Sequence, residues 1–276
     1  MSKKWYKLIF KQMEPIHIGA GNYGVLSETR IFIPGWTMWG ALAKRYGGYL
    51  GGTEEDFNVS KELFKNISCF FPSFKENEDP LFPTYVDGLF YLGSISEKDF
   101  RVEFTDTYIS TAISPAMQAA KRESLHEIEV ILPISKTGMK ESNNSLYWSG
   151  LLSVSDDESV ADSVLHFLKE GLELTLGGES RYGFGRIKLI RKCEITKEEL
   201  EFWGLDEEGK SIANVYLKNY SEYCNGIFGM GKIEHIIVEA DFSIATPKIK
   251  ESKICLAPGS KANLPGVLER GVYIQT

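Results

Sequence analysis

The 276-residue chain carries 43% hydrophobic and 25% charged residues, a composition that folds and that excludes a disordered tail, a collagen or a coiled coil. Its length suits one large domain or two small ones, and two linked subdomains are expected. Lys and Arg number 31 against 38 Asp and Glu, a net charge of -7, so a polyanion is repelled at long range and needs a local patch.

No run of 18 apolar residues occurs, and the N-terminus alternates charge with hydrophobe, which predicts a soluble cytoplasmic chain with no membrane partner. Cys69, Cys193, Cys224 and Cys255 form no C-x-x-C, and His17, His126, His166 and His235 share no helix face at metal-ligand spacing. Reduced thiols, no metal and no cofactor are expected.

Tyr6, Leu8 and Phe10 alternate with Lys7, Ile9 and Lys11, so the first element is a predicted strand that ends at Glu14-Pro15. The stretch from Ile16 through His17, Gly19 and Gly21 to Gly24 follows as a tight glycine-rich loop, then a short strand from Thr29 to Ile33. After Pro34-Gly35, Trp39, Leu42, Ala43 and Tyr46 fall on one face of a predicted helix whose polar edge, Lys44 and Arg45, is cationic. Residues 47–103 lack a single period. Gly47-Gly48, Gly51-Gly52 and three prolines interrupt them, so an irregular insertion is expected.

Alternation returns at 104–110 and 125–132, two predicted strands flanking a small-residue loop from Ser114 to Arg122. Another strand runs from Ser145 to Val154. Ser155-Asp156-Asp157-Glu158 then reads as a capping box opening a helix with Val160, Val164, Leu168 and Leu172 as its stripe and Gly177-Gly178 as its stop. A strand from Arg186 to Arg191, an acidic helix-like stretch at 194–213 and two or three short strands in 215–276 complete the chain. The order is compatible with an α+β, ferredoxin-like (RRM-like) β-α-β-β-α-β domain over 1–193, with the insertion at about 47–103, and a smaller β-rich region over 194–276.

The segment Gly177 to Lys188 is the most informative. It follows a helix and opens a strand, the reverse of a dinucleotide fingerprint, and it lacks the G-K-[ST] of a phosphate loop. From Glu179 to Lys192 five basic residues stand against one acid. Glycine bares backbone N–H groups, arginine pairs with phosphate, and Tyr182 or Phe184 offers a ring for a base, so single-stranded RNA is the natural partner. The competing reading is a glycine-rich turn with solvated cations.

Ile16-His17-Ile18-Gly19-Ala20-Gly21, Phe32-Ile33-Pro34-Gly35-Trp36-Thr37-Met38-Trp39-Gly40-Ala41-Leu42 and Leu176-Gly177-Gly178 through Arg181-Tyr182-Gly183-Phe184-Gly185-Arg186 occur in that order. In these segments the chain resembles the RAMP superfamily, the proteins that build CRISPR effector complexes and include some crRNA-processing nucleases. The tail Ala257-Pro258-Gly259-Ser260 is similar to a motif of the subunits that cap the 5′ handle of the crRNA. Where the family has Ser-Ser-Leu-Lys/Arg this chain has Trp36-Thr37-Met38-Trp39, and the aspartate of target-cutting subunits is absent, Glu28 being the only acid between Gly19 and Gly40.

The resemblance implies a non-catalytic crRNA-binding subunit of a type III complex, with crRNA and other effector subunits as partners. Its candidate contacts are Gly19, Gly21, Lys44, Arg45, Lys121, Arg122, Gly178, Arg181, Tyr182, Gly183, Phe184, Gly185, Arg186 and Lys188. Met117, in the loop where family members extend a thumb-like hairpin, is a candidate wedge. Two alternatives remain: a metal-independent endoribonuclease using His17 as general acid or base, and a purely structural subunit whose glycine loops shape a protein interface.

Overall fold

The computed structural model describes residues 3–137, 145–155, 157–212, 216–223, 229–241, 246–262 and 266–275, which mix helices with several sheets. Cys224 and Asp156 lie outside them. The predicted first strand, Lys4–Gln12, is the middle of a five-stranded antiparallel sheet. Its order is Glu173–Thr175, Arg186–Glu194, Lys4–Gln12, Tyr147–Val154 and Phe71–Ser73. Leu8 and Phe10 are fully buried as the alternation requires, and Ile9 on the opposite face is buried too.

Helices Gly35–Leu50 and Glu158–Phe167 meet through Tyr46 and Phe167, whose ring centroids are 4.8 Å apart. Lys192, opposite Leu8 in the sheet, donates to the carbonyl of Leu165, which puts Glu158–Phe167 on the Leu8 face. The predicted stripe of Trp39, Leu42, Ala43 and Tyr46 is buried.

Three expectations are corrected. The first helix does not break at Gly47-Gly48 but runs to Leu50: a Cβ on Gly47 would stand 2.3 Å from the Phe57 ring, so this glycine admits the helix Glu54–Leu63 to close contact. Residues beyond it are regular, with a Thr53–Asp56 capping box, the edge strand Phe71–Ser73, a three-stranded sheet (Pro83–Val86, Leu89–Leu92, Ile95–Ser96) and the helix Glu97–Phe104. Short elements with mixed burial give no periodic signal. The second predicted helix is capped by Asp157, whose carboxylate accepts from the Ser159 and Val160 amides, and it ends at Phe167. Leu172 therefore belongs to the turn before Glu173–Thr175, and Gly177 is a loop residue beyond that strand.

The predicted strands around the 114–122 loop are Thr105–Ser110 and His126–Ile131, antiparallel partners in a second sheet completed by Leu26–Thr29 and Gly19–Tyr23. Arg101 ties this sheet to the helix Glu97–Phe104. It reaches Glu129 at 2.7 Å, Glu97 at 2.8 Å and Glu28 at 3.0 Å, and donates to the Thr29 carbonyl.

The last quarter of the chain has more strand than expected. Ile233–Asp241 and Lys248–Leu256, nine residues each, join Tyr220–Glu222, Val272–Ile274 and Val267–Glu269 in a five-stranded sheet. The sheet docks on the rest through two backbone bonds, Arg270 N–H to Lys65 O and Gly271 N–H to Ile67 O, and one side chain, Asn219 Oδ1, which accepts from Cys69 N–H. The acidic run is largely used locally. Glu199 closes a capping box on Thr196, and Asp206 accepts from the amides of Glu208 and Lys210.

Arg30 crosses between the two halves, donating to Tyr220 Oη and to Glu234 Oε2, both at 2.7 Å, with about one-eighth of either charged side chain exposed. Burial pushes the Glu234 carboxyl up, but Arg30 and Lys232 outweigh it and hold it below the usual range. A depressed folded pKa gives stability that is present above the ordinary carboxylate range and is lost as pH falls through the folded value. Arg30→Met should cost about 1.5–3 kcal/mol by removing the charged hydrogen bond that joins the halves, Lys232 remaining on Glu234, and should shrink that acid-side loss in urea unfolding measured from pH 7 downward.

Candidate nucleic-acid interface

The turn from Pro15 to Ile18 and the loop from Leu176 to Gly185 form one backbone-bonded unit. Gly185 N–H donates to Pro15 O at 2.7 Å, Gly178 N–H to His17 O at 2.9 Å and Leu176 N–H to Gly185 O at 3.0 Å. A Cβ on Gly177 would stand 2.2 Å from His17 O, and one on Gly185 2.0 Å from Leu176 O; their φ values are +78° and +90°. Glycine is therefore required at both positions by space and by conformation.

Beside this unit opens a cleft of about 310 Å³. Ile18, Gly19 and Ala20 line it from the first motif, Trp36 and Thr37 from the second, and Gly177 and Gly178 from the third. Arg30 and the strand residues His235, Ile236 and Ile237 complete the wall. The helix Gly35–Leu50 starts here behind Pro34, with no side-chain cap and no acid in its first turn, so its positive dipole end lies at the cleft. Three segments far apart in sequence thus share one wall.

A second hollow of about 460 Å³ lies on the other side of the loop, lined by Glu14, Pro15, Ser180, Tyr182, Phe184 and Arg186, with Thr175 and Gly183. Here Tyr108 of the strand Thr105–Ser110 joins Tyr182 and Phe184, with centroid distances of 5.4, 5.7 and 6.2 Å within the trio. Tyr108 is 42% and Tyr182 47% exposed, so two large rings present faces to solvent. Clustered exposed rings beside cations are able to stack bases.

The expected contacts divide among these places. Gly19 and Gly178 line the cleft; Tyr182, Gly183, Phe184 and Arg186 line the hollow. Gly185 is buried, and its amide is spent on Pro15. Arg186 pairs with Glu14 at 2.7 Å on the surface, while Arg181 is exposed with no side-chain partner among the described residues. Lys188 is half-buried on the central sheet. Gly21 lies on the exposed strand Gly19–Tyr23, Lys44 and Arg45 on later turns of the first helix, and Lys121 and Arg122 in the hairpin beyond the second sheet; none of the five lines either space. Met117, at the tip of that hairpin, is 80% exposed.

His17 is buried. Its Nδ1 donates to the Glu129 carbonyl at 2.7 Å, since a carbonyl only accepts, and its Cδ2 would lie 3.2 Å from a Cβ on Gly178. The ring is a strut between the second sheet and the glycine loop. Glu28 is likewise engaged, by Arg101.

Sequence reasoning missed Tyr108, Arg30 and the 235–237 wall. Tyr108 had a signal in the alternation at 104–110, but nothing local paired that strand with the loop. A third hollow of about 230 Å³, where Ala257 and Pro258 of the tail meet Arg30, Arg101, Tyr85 and Phe90, was invisible for the same reason.

No protein-family model matches the chain, and no curated protein does. Solved structures do. A chain of the cryo-EM structure of the Type III-B Cmr-beta bound to cognate target RNA superimposes with a TM-score of 0.62 at 16% identity, covering 93% of this chain and 86% of that one. Another, from the Type III-B Cmr-beta bound to cognate target RNA and AMPPnP, gives 0.57 at 15% identity over 96% and 86%. This chain shares their fold. At such identity the likeness speaks for architecture alone.

Gly185→Ala should destabilise the chain by about 2–4 kcal/mol, strain at positive φ adding to backbone overlap. Arg181→Ala should stay within about 0.5 kcal/mol of the parent in the same urea titration, as an exposed, unpaired side chain does.

Proposed function

We propose that the chain is a non-catalytic crRNA-binding subunit of a type III CRISPR complex, of the RAMP superfamily and closest in kind to the subunits that cap the 5′ handle. The observation that carries this reading is the convergence of the three family-like motifs on one cleft, beside an exposed three-ring cluster. The N-terminus of the helix Gly35–Leu50, without a side-chain cap or acid, and Arg181 supply phosphate contacts, and Tyr108, Tyr182 and Phe184 supply ring faces. The fold shared with chains of an RNA-bound Cmr-beta supports the same assignment.

The ferredoxin-like reading is supported by strand order. Arg186–Glu194, Lys4–Gln12, Tyr147–Val154 and Phe71–Ser73 stand side by side as fourth, first, third and second strands of a β-α-β-β-α-β unit. Ala257 and Pro258, lining the hollow next to the cleft, support the capping role. The nuclease alternative is weakened by His17, whose Nδ1 is held by a backbone carbonyl and whose ring is buried.

The test is binding of repeat-sequence RNA and of duplex DNA to the purified chain in low salt. Single-stranded RNA should bind more tightly than the duplex; equal or tighter duplex binding overturns the reading. Tyr108→Ala should weaken RNA binding about 5- to 100-fold, the loss of one stacked base, without changing the thermal midpoint by more than a few degrees. Arg181→Ala should shrink the log–log salt slope by about 0.7, one phosphate on a single strand.

A further inference from the structure

The central sheet carries a row of cations that neither the cleft nor the aromatic hollow absorbs. In an antiparallel ladder directly opposed residues share a face, so the register identifies which side chains stand together. Lys11 lies opposite Lys188, Ile9 opposite Arg191 and Lys7 opposite Cys193, while the bulge after Ile9 takes up Ile190. Lys7, Lys11, Lys188 and Arg191 therefore share the face away from the helix Glu158–Phe167. Lys192, one residue off in register, is on the other face and reaches the Leu165 carbonyl of that helix. Two of the four also act on one thiol: burial pushes the Cys193 thiol up, while Lys7 and Arg191 pull it down.

None of the four makes an ion pair among the described residues. Arg191 hydrogen-bonds the neutral Asn77, and Glu173 stands opposite Lys188 at the sheet edge without an ion pair. The turn around Asn77 carries Glu76, Glu78 and Asp79, of which Glu78 is taken by Lys75. Two lysines directly opposed repel each other, which costs stability unless an anion lies between them. In a chain of net charge -7, four unneutralised cations on one sheet face stand out from the whole.

The row is continuous with the site described above. Arg186, in the wall of the aromatic hollow, is two residues before Lys188 on the same strand and the same face. From Lys188 the cations continue at Arg191 on the same strand and at Lys11 and Lys7 on the neighbouring one, so the row steps between two strands. A run of cations left without ion pairs fits a phosphodiester backbone, which carries a charge at every nucleotide, better than it fits a folded acidic protein, whose carboxylates are scattered.

We propose that Lys11, Lys188, Arg191 and Lys7 form a second track for the phosphate backbone of single-stranded RNA, which runs from the aromatic hollow past Arg186 along the partly exposed strand Arg186–Glu194 and its neighbour. This rests on the RNA-binding reading and adds to it a direction for the strand and a length of contact beyond the cleft. Phosphate contacts carry no sequence information, so the track itself is sequence-independent.

The experiment compares a short RNA of about 6 nucleotides with a long one of about 30, both fluorescently labelled and single-stranded, in salt titrations of the full chain and of the triple variant Lys7→Gln, Lys11→Gln, Arg191→Gln. Lys188, already among the candidate contacts, stays intact, so the variant removes only the three cations that are new to the track. The variant should unfold at or above the parent's thermal midpoint, because like-charge repulsion is relieved. On the long RNA its log–log salt slope should shrink by about 2, three contacts at about 0.7 each, while the short RNA binds both proteins alike. An unchanged slope on the long RNA, with tight parental binding, overturns the track and leaves the cleft reading standing. Failure of the parent to bind either RNA overturns both. A loss on the short RNA equal to that on the long one also overturns the track, since it would place these cations in the cleft contact itself.

Discussion

The contact on which the arrangement depends is between two backbones: the Pro15–His17 turn and the 176–185 loop, pressed together where Gly177 and Gly185 have no side chain. The loop links the edge strand Glu173–Thr175 to the inner strand Arg186–Glu194, so its position is set by the central sheet. The turn leads from Lys4–Gln12 into the second sheet, which it also bridges through Ile16 and Ile131. Joining turn to loop therefore fixes one sheet against the other. Tyr108 meets Tyr182 and Phe184 only because of that junction, and the His17 ring, bonded to Glu129, fills the space it leaves.

Charge is distributed by the same logic. Near the cleft, carboxylates are gathered on two arginines: Glu28, Glu97 and Glu129 on Arg101, and Glu234 on Arg30. Elsewhere acids close helix starts, as Asp56, Asp157 and Glu199 do. The loop and the strand behind it keep their cations largely unopposed, Arg186 excepted. An acidic chain in this way holds a locally basic band without a change in total charge, because acids that serve as caps and struts are not distributed evenly over the surface.

What was legible in the sequence follows what is local. The strand Lys4–Gln12, the buried stripe from Trp39 to Tyr46 and the two strands around the 114–122 loop are signalled by periodicity, and periodicity is a property of neighbours. The glycines marked a place where backbone comes close, but not what it approaches: Gly47 read as a break and is a contact with Phe57, while Gly177 read as a helix stop and seats His17 O. The cap on the second helix was placed on Ser155 rather than Asp157, because both types cap and only the geometry chooses. Tyr108, Arg30 and the 235–237 wall belong to the site through sheet packing, which a single sequence does not encode in any window. The strands after residue 230 are longer than the short ones the sequence suggests, because the first half of Lys248–Leu256 is mostly exposed and so lacks a clean apolar run.

Under the proposed function, the distribution of charge also decides how the RNA is acquired. Screening limits the reach of any charge to about 8–10 Å at physiological salt, so the basic band acts at contact range, whereas the net charge of -7 governs what little attraction or repulsion extends further. Such a chain gains nothing from electrostatic steering of free RNA. It gains from an RNA already brought near by other surfaces, because within a screening length the band is what the phosphates meet. The aromatic trio then adds stacking, which is insensitive to salt, and the cations add contacts that salt weakens. A subunit built in this way holds a strand that an assembly presents to it, which is why local basicity and global acidity are compatible in one RNA-binding chain.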